Sequence, residues 1–159
     1  MFFISGTILA ADPVTMNITG NIVASPCQVS SDSISKSVDL GQDIQSSALQ
    51  TAGTGSDWVM FHIDVVSCPV GTTKATMTLH GTPDNARPDD LYANSGSAEN
   101  VAVQLQMQSG EAMGNDKSYV GNISSSGYVY NMQARAYTAN GSATPGTISS
   151  VVTATFEYQ

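Results

Sequence analysis

The chain has 159 residues, enough for one domain with a substantial core, and only 11% of them are charged. Thirteen acidic residues against five basic ones leave a net charge of −8. That balance argues against nucleic acid as a partner, because phosphate binding needs a basic patch.

The first ten residues, Met-Phe-Phe-Ile-Ser-Gly-Thr-Ile-Leu-Ala, are apolar and end in small side chains, like the later part of a secretory signal. They carry no basic leading region and are too short to span a membrane. The expectation is a truncated signal remnant over residues 1–10, cleaved after Ala10; the alternative is a retained N-terminus. Ile8 is larger than usual for the third position before such a cleavage point. Residues 11–22 follow, in which Val14, Met16, Ile18, Gly20 and Ile22 alternate with polar neighbours as strand side chains do. Such a segment can supply a strand to its own domain or to a neighbour's.

Cys27 and Cys68 are the only cysteines. In an oxidising compartment they would pair, and closing a loop of about 40 residues restricts the unfolded chain by about 4 kcal/mol. In a reducing compartment they would be two buried thiols. The exported character of the rest of the chain favours the disulfide.

Short alternating runs separated by turn residues fill the remainder, the pattern of an all-β sandwich. Residues 37–40 form one short run, closed by Gly41. A helical turn is expected around residues 44–49. Val59, Phe61, Ile63 and Val65 alternate up to Cys68, with His62 on the outward face. The turn Cys68-Pro69-Val70-Gly71 leads into Ala75, Met77 and Leu79. Residues 80–100 hold Pro83, Asp84, Pro88, Asp89 and Asp90, and are expected to be a surface excursion. Val101, Val103, Leu105 and Met107 form the next run, then Tyr128, Tyr130, Met132, Ala134 and Ala136. Turn residues at 140–146 lead into a last strand, in which Ile148, Ser150, Val152, Ala154, Phe156 and Tyr158 share one face. A sandwich ending on such a strand is expected to keep an open edge and an unfilled groove.

No catalytic constellation emerges. His62 and His80 are the only histidines, too few for a multi-imidazole metal centre. Asp84, Asp89 and Asp90 lack the spacing of a calcium loop. Neither a nucleophile elbow nor a glycine-rich phosphate loop occurs. Trp58 and the tyrosines could line a sugar site, but tyrosines spaced along strands are usually core or cross-strand pairs. The expectation is a protein that is not an enzyme and uses no metal or cofactor.

Several segments together resemble the chaperone–usher pilus (fimbrial) subunits of Gram-negative bacteria. They are the alternating arm with Gly20 before Ala24-Ser25-Pro26-Cys27, then Ser37-Val38-Asp39-Leu40-Gly41, and Cys68-Pro69-Val70-Gly71-Thr72. Tyr158 is penultimate and Gly146 is fourteenth from the end, as in the signature by which the family's chaperone recognises its subunits. The resemblance covers residues 11–159. Within the family, residues 68–72, 94–100 and 136–148 are most similar to the minor tip adaptor of type 1 pili.

The resemblance implies an immunoglobulin-like sandwich lacking its seventh strand, preceded by an N-terminal donor-strand arm. Residues 11–22 would be the donor extension and residues 23–159 the pilin domain. Val14, Met16, Ile18 and Ile22 would be the donor's buried side chains, with Gly20 where the partner's groove is shallow. The periplasmic pilus chaperone would lend a strand first, pairing along Gly146, Ile148, Val152, Ala154, Phe156 and Tyr158 and anchoring the carboxylate of Gln159. At the outer-membrane usher the next subunit's arm would replace it. The resemblance therefore implies a structural subunit of an extracellular pilus for bacterial adhesion, exported through the periplasm and linked to adjacent subunits. A major rod pilin is the first alternative and a carbohydrate-binding adhesin the second.

Overall fold

The computed structural model describes residues 15–159. The expected signal remnant and Val14 lie outside the described residues. The body is an all-β sandwich, with every strand pair antiparallel.

The strands in chain order are β1 (Gln28–Val29), β2 (Thr54–Gly55), β3 (Val59–Val66), β4 (Lys74–Gly81), β5 (Leu91–Ala93), β6 (Ala102–Met107), β7 (Ser118–Asn122), β8 (Tyr128–Thr138) and β9 (Val152–Tyr158). A short helix, α1 (Ser31–Ile34), follows β1, and a single 3-10 turn spans Ser46–Leu49, where the sequence suggested a helical turn. One sheet has the order β1-β3-β8-β6-β5, with β2 also on β8; the other has the order β7-β4-β9.

The alternating runs place their apolar faces between the sheets. Ala75, Met77 and Leu79 of β4 face Tyr130, Met132 and Ala134 of β8 across the core, and all six are buried. The Tyr130 hydroxyl crosses the sandwich to donate to the Ala75 carbonyl at 2.6 Å. Burial, with Tyr128 and Tyr158 nearby, holds that phenol well above its ordinary pKa, so it stays protonated and keeps donating. Tyr119 and Tyr128 pack edge-on against Tyr130, and Phe156 of β9 lies 5.9 Å from it. His62 is exposed on the outer face of β3, as its alternation implies.

Residues 80–100 depart from the expected surface excursion. Leu91 and Tyr92 are fully buried and β5 joins the larger sheet. The prolines and charges mark only a turn over residues 83–89. The turn folds back so that Asp90 drops inside, where it accepts from Arg87 Nη2 and Gln104 Nε2, each at 2.7 Å. Arg135 donates its Nε to Gln104 Oε1 at 2.7 Å and lies over the Trp58 ring at 4.2 Å. A second buried layer therefore covers the outer face of β6, and Ala102 and Gln104 are as buried as Val103 and Leu105. Alternation alone could not reveal it, because both faces of β6 are covered. β7 was also missed: it is short and polar, and only Tyr119 turns inward onto the core cluster.

Cys27 and Cys68 form a disulfide, 41 residues apart, that ties the start of the body to the end of β3. Replacing both (Cys27→Ala with Cys68→Ala) should lower unfolding stability by about 4 kcal/mol, read from urea denaturation. Asp90→Ala leaves Gln104 and Arg87 without their acceptor and should cost about 1–3 kcal/mol in the same assay. Asp89→Ala, at the exposed neighbouring carboxylate, should change stability by less than about 0.5 kcal/mol.

Candidate functional site: a groove beside the last strand

Among the described residues, β9 pairs on one side only. Its register on β4 sets Val152 opposite Gly81 and Tyr158 opposite Ala75. Gln159 and Lys74 exchange two backbone hydrogen bonds of 2.9 Å, which fixes the phase of the ladder. Antiparallel pairs alternate between hydrogen-bonded and non-bonded. Thr153, Thr155 and Glu157 therefore bond to β4, while Val152, Ala154, Phe156 and Tyr158 aim their N–H and C=O groups at the other edge. Among the described residues nothing pairs with that edge.

Beside it lies a groove of about 720 Å³. Residues 36–42 form one wall, and residues 145–150 with Val152 and Ala154 form the other. Phe61, Ile63, Leu79, Val103, Leu105 and Met132 line the bottom. These are inter-sheet core side chains, so the groove opens directly onto the hydrophobic core. The alternating side chains of β9 are each only half-buried, unlike those of β4 and β8.

The first wall corrects one expectation. Residues 37–40 alternate as foreseen, and Val38 and Leu40 pack on the core, but the segment is not a strand. A strand needs a ladder partner for its backbone, and here the groove separates the segment from β9. Its conformation is held locally: the Asp39 carboxylate accepts from the Gly41 N–H and from Gln42 Nε2, both at 2.9 Å. These two bonds keep the Asp39 carboxyl below its ordinary pKa.

The second wall corrects another. The expected strand from Gly146 pairs regularly only from Val152. Its first part is fastened to residues 94–99 by side-chain and backbone bonds. Ser95 N–H donates to Ser149 O, Ala98 N–H to Thr147 O, and Ser149 N–H to Asn94 Oδ1, at 2.8–3.1 Å. Gly146 lies so close to this loop that a Cβ would stand 2.5 Å from the Ala98 nitrogen. Ile148 still turns onto the core beside Leu49 and Ala143.

At the far end of β9 the Gln159 main-chain oxygen accepts from Thr73 N–H at 2.6 Å, Lys74 N–H at 2.9 Å and Thr73 Oγ1 at 3.2 Å. Burial raises the pKa of the Tyr158 phenol. The described part of the arm stands apart from all this. Residues 15–23 belong to neither sheet, and Met16, Ile18 and Ile22 are exposed. A Cβ on Gly20 would meet nothing within 4 Å. None of these residues lines the groove of their own body.

The ladder phase has a direct readout in hydrogen exchange. The amides of Ala154, Phe156 and Tyr158 should exchange at least about tenfold faster than those of Thr155 and Glu157, since only the latter are hydrogen-bonded to β4.

Comparison with known proteins follows the same lines. The family model described as "Fimbrial protein" matches residues 16–159. The chain is 39% identical to protein FimG of Escherichia coli K12 over 156 residues, covering 97% of this chain and 89% of that protein. It is 30% identical to the type-1 fimbrial protein A chain of the same strain over 153 residues, covering 91% and 83%. The P pilus rod subunit PapA superposes with a TM-score of 0.72 at 22% identity, covering 85% of this chain and all of that one. The immunoglobulin-like all-β sandwich expected from the sequence is thus the fold found. The chain belongs to the fimbrial protein family and is a subunit of chaperone–usher pili.

Proposed function

We propose that the chain is a minor tip adaptor that links two neighbouring subunits by donor-strand exchange. It would accept one neighbour's arm in the groove beside β9 and offer its own residues 11–22 to the other neighbour. The observation that carries this is the coincidence on β9 of an unpaired backbone edge and an apolar face open to the core. A single added strand would satisfy both, through ladder bonds to Val152, Ala154, Phe156 and Tyr158 and side chains over Ile63, Leu105 and Met132.

The direction of the added strand follows from where the chain's own arm leaves. β9 runs towards the disulfide end, where Gln159 is bonded to Thr73 and Lys74. The arm leaves at that same end, because Thr72 Oγ1 donates to the Ser25 carbonyl at 2.9 Å and Cys27 is bonded to Cys68. Subunits joined head to tail keep the donor's body at the opposite end. The incoming arm then runs antiparallel to β9. Positions 14 to 22 span eight residue steps, about 27 Å in a strand, as do Ile148 to Phe156 along the groove wall. Val14, Met16, Ile18 and Ile22 are the donor's buried side chains in this arrangement, and Gly20 crosses the shallow part.

Before assembly the periplasmic chaperone would occupy the same edge, and the outer-membrane usher would be the place of exchange. Export through the periplasm to an extracellular pilus follows. The adaptor role is favoured over the rod role by the greater identity to FimG than to the type-1 A chain. It also agrees with the resemblance of residues 94–100 and 136–148 to the tip adaptor.

The test is the urea midpoint of the chain with and without excess synthetic arms from candidate neighbouring subunits. A matching arm should raise the midpoint strongly and protect the Ala154, Phe156 and Tyr158 amides, while a scrambled arm does neither. Val152→Lys, at the groove wall, should abolish the gain. A body equally stable with every arm would overturn the proposal.

A further inference from the structure

We propose a second contact between this chain and the subunit that takes its arm: an apolar knob at the arm's exit, made by Val23 and Val70, that packs on the acceptor's body. The contact presupposes that residues 11–22 act as a donated strand, and it goes beyond that strand.

Val23 is out of phase with the donor stripe. The stripe uses even-numbered positions up to Ile22, so Val23 points away from any groove that holds the arm. It is nevertheless apolar and 82% exposed. Val70 is the second anomaly. It sits at the tip of the tight turn from Pro69 to Thr72, closed by the Thr72 N–H donating to the Pro69 carbonyl at 3.1 Å. Gly71 supplies the positive φ of +100° that the third position of such a turn requires. A turn tip of this kind ordinarily carries a polar residue, yet this one holds a valine that is 108% exposed. The Thr72–Ser25 hydrogen bond and the Cys27–Cys68 bridge hold the turn beside the strand of chain that carries Val23.

Covalent connection supplies the occupant. Val23 is one residue beyond Ile22, and successive residues of an extended chain advance only about 3.3 Å. Once Ile22 is seated, the acceptor's body must lie within about one side-chain length of Val23. The turn carrying Val70 is tethered two residues further along, at Ser25. Both valines therefore meet the rim of the acceptor's groove at the end where the arm enters. The rigid disulfide end of the donor would brace against that rim, limiting rotation about the short link between the arm and the body.

Photo-crosslinking in assembled pili tests this with the intact chain. A benzophenone amino acid is placed singly at Met16, Val23, Val70 or Val120, and the products are identified by mass spectrometry. Met16 reports the donated strand and Val120, exposed on β7, reports a face away from the link. The expected result is that Val23 and Val70 crosslink to the same neighbouring subunit as Met16, at its groove rim, while Val120 does not. Crosslinking from Met16 without any from Val70 overturns the knob and leaves the donated strand standing. A Val70 product on a different subunit from the Met16 product also overturns it. Failure of Met16 itself removes the donated strand, and the knob falls with it. As a second measurement, the Val23→Ser, Val70→Ser pair should speed dissociation of the full chain from its acceptor by about tenfold or more. An unaltered dissociation rate would count against the contact.

Discussion

One-sided pairing of β9 among the described residues is the constraint on which the rest of the structure turns. A strand at a sheet edge leaves half its backbone groups without partners, and on most proteins such an edge is blunted by charge, proline or a covering segment. Here the edge carries Val152, Ala154, Phe156 and Tyr158 instead, and it borders a groove that opens onto core side chains. The two halves of the sandwich are joined well away from this gap. Tyr130 bonds Ala75 across the layers, and the aromatic cluster around it packs beneath the end of β9. The groove thus lies apart from the contacts that join the two sheets, and each of its walls has fastenings within the body.

Each wall is fastened by a different device. The 36–42 side relies on the Asp39 turn and on Val38 and Leu40 packing inward. The 145–150 side is stitched to residues 94–99 by bonds that a strand would otherwise have used within a sheet. Those bonds explain why regular pairing begins only at Val152 although the alternating pattern begins at Ile148. The backbone groups of Thr147 and Ser149 find partners in a loop rather than a ladder, and the backbone follows its partners. Both sides of the groove are thereby held by bonds within the body.

Much of the fold was legible because periodicity reports faces. β3, β4, β8 and β9 each turn one side towards the core and the other away from it, and their alternation located them. What remained hidden was whatever two-fold alternation does not encode. β6 is covered on both faces, and its alternation does not set Gln104 apart from a solvent position although Asp90 and Arg135 bond to it. Residues 83–90 look like a solvated loop by composition, yet Asp90 lies inside because Arg87 and Gln104 meet its charge. Residues 37–40 have a strand's pattern without a strand's partner. Pattern gives a side chain's preference for a face; only tertiary context decides whether the backbone beside it has anything to bond.

The same distinction separates the two ends of the molecule. At the groove, apolar exposure has an evident remedy, because unpaired N–H and C=O groups accompany it and one strand answers both. At the arm's exit, Val23 and Val70 are exposed apolar side chains that lie off the even-numbered donor stripe and away from the β9 edge, so a strand added at β9 would not cover them. Thr72 is spent closing its turn on Pro69 and holding Ser25. Only a packed surface, not a ladder, suits such side chains. A chain with so few charged residues has little electrostatic means to fix the angle between neighbours joined by a short link. In the proposed arrangement, apolar contact at the hinge would supply that stiffness by area, next to the place where a donated arm would join two bodies.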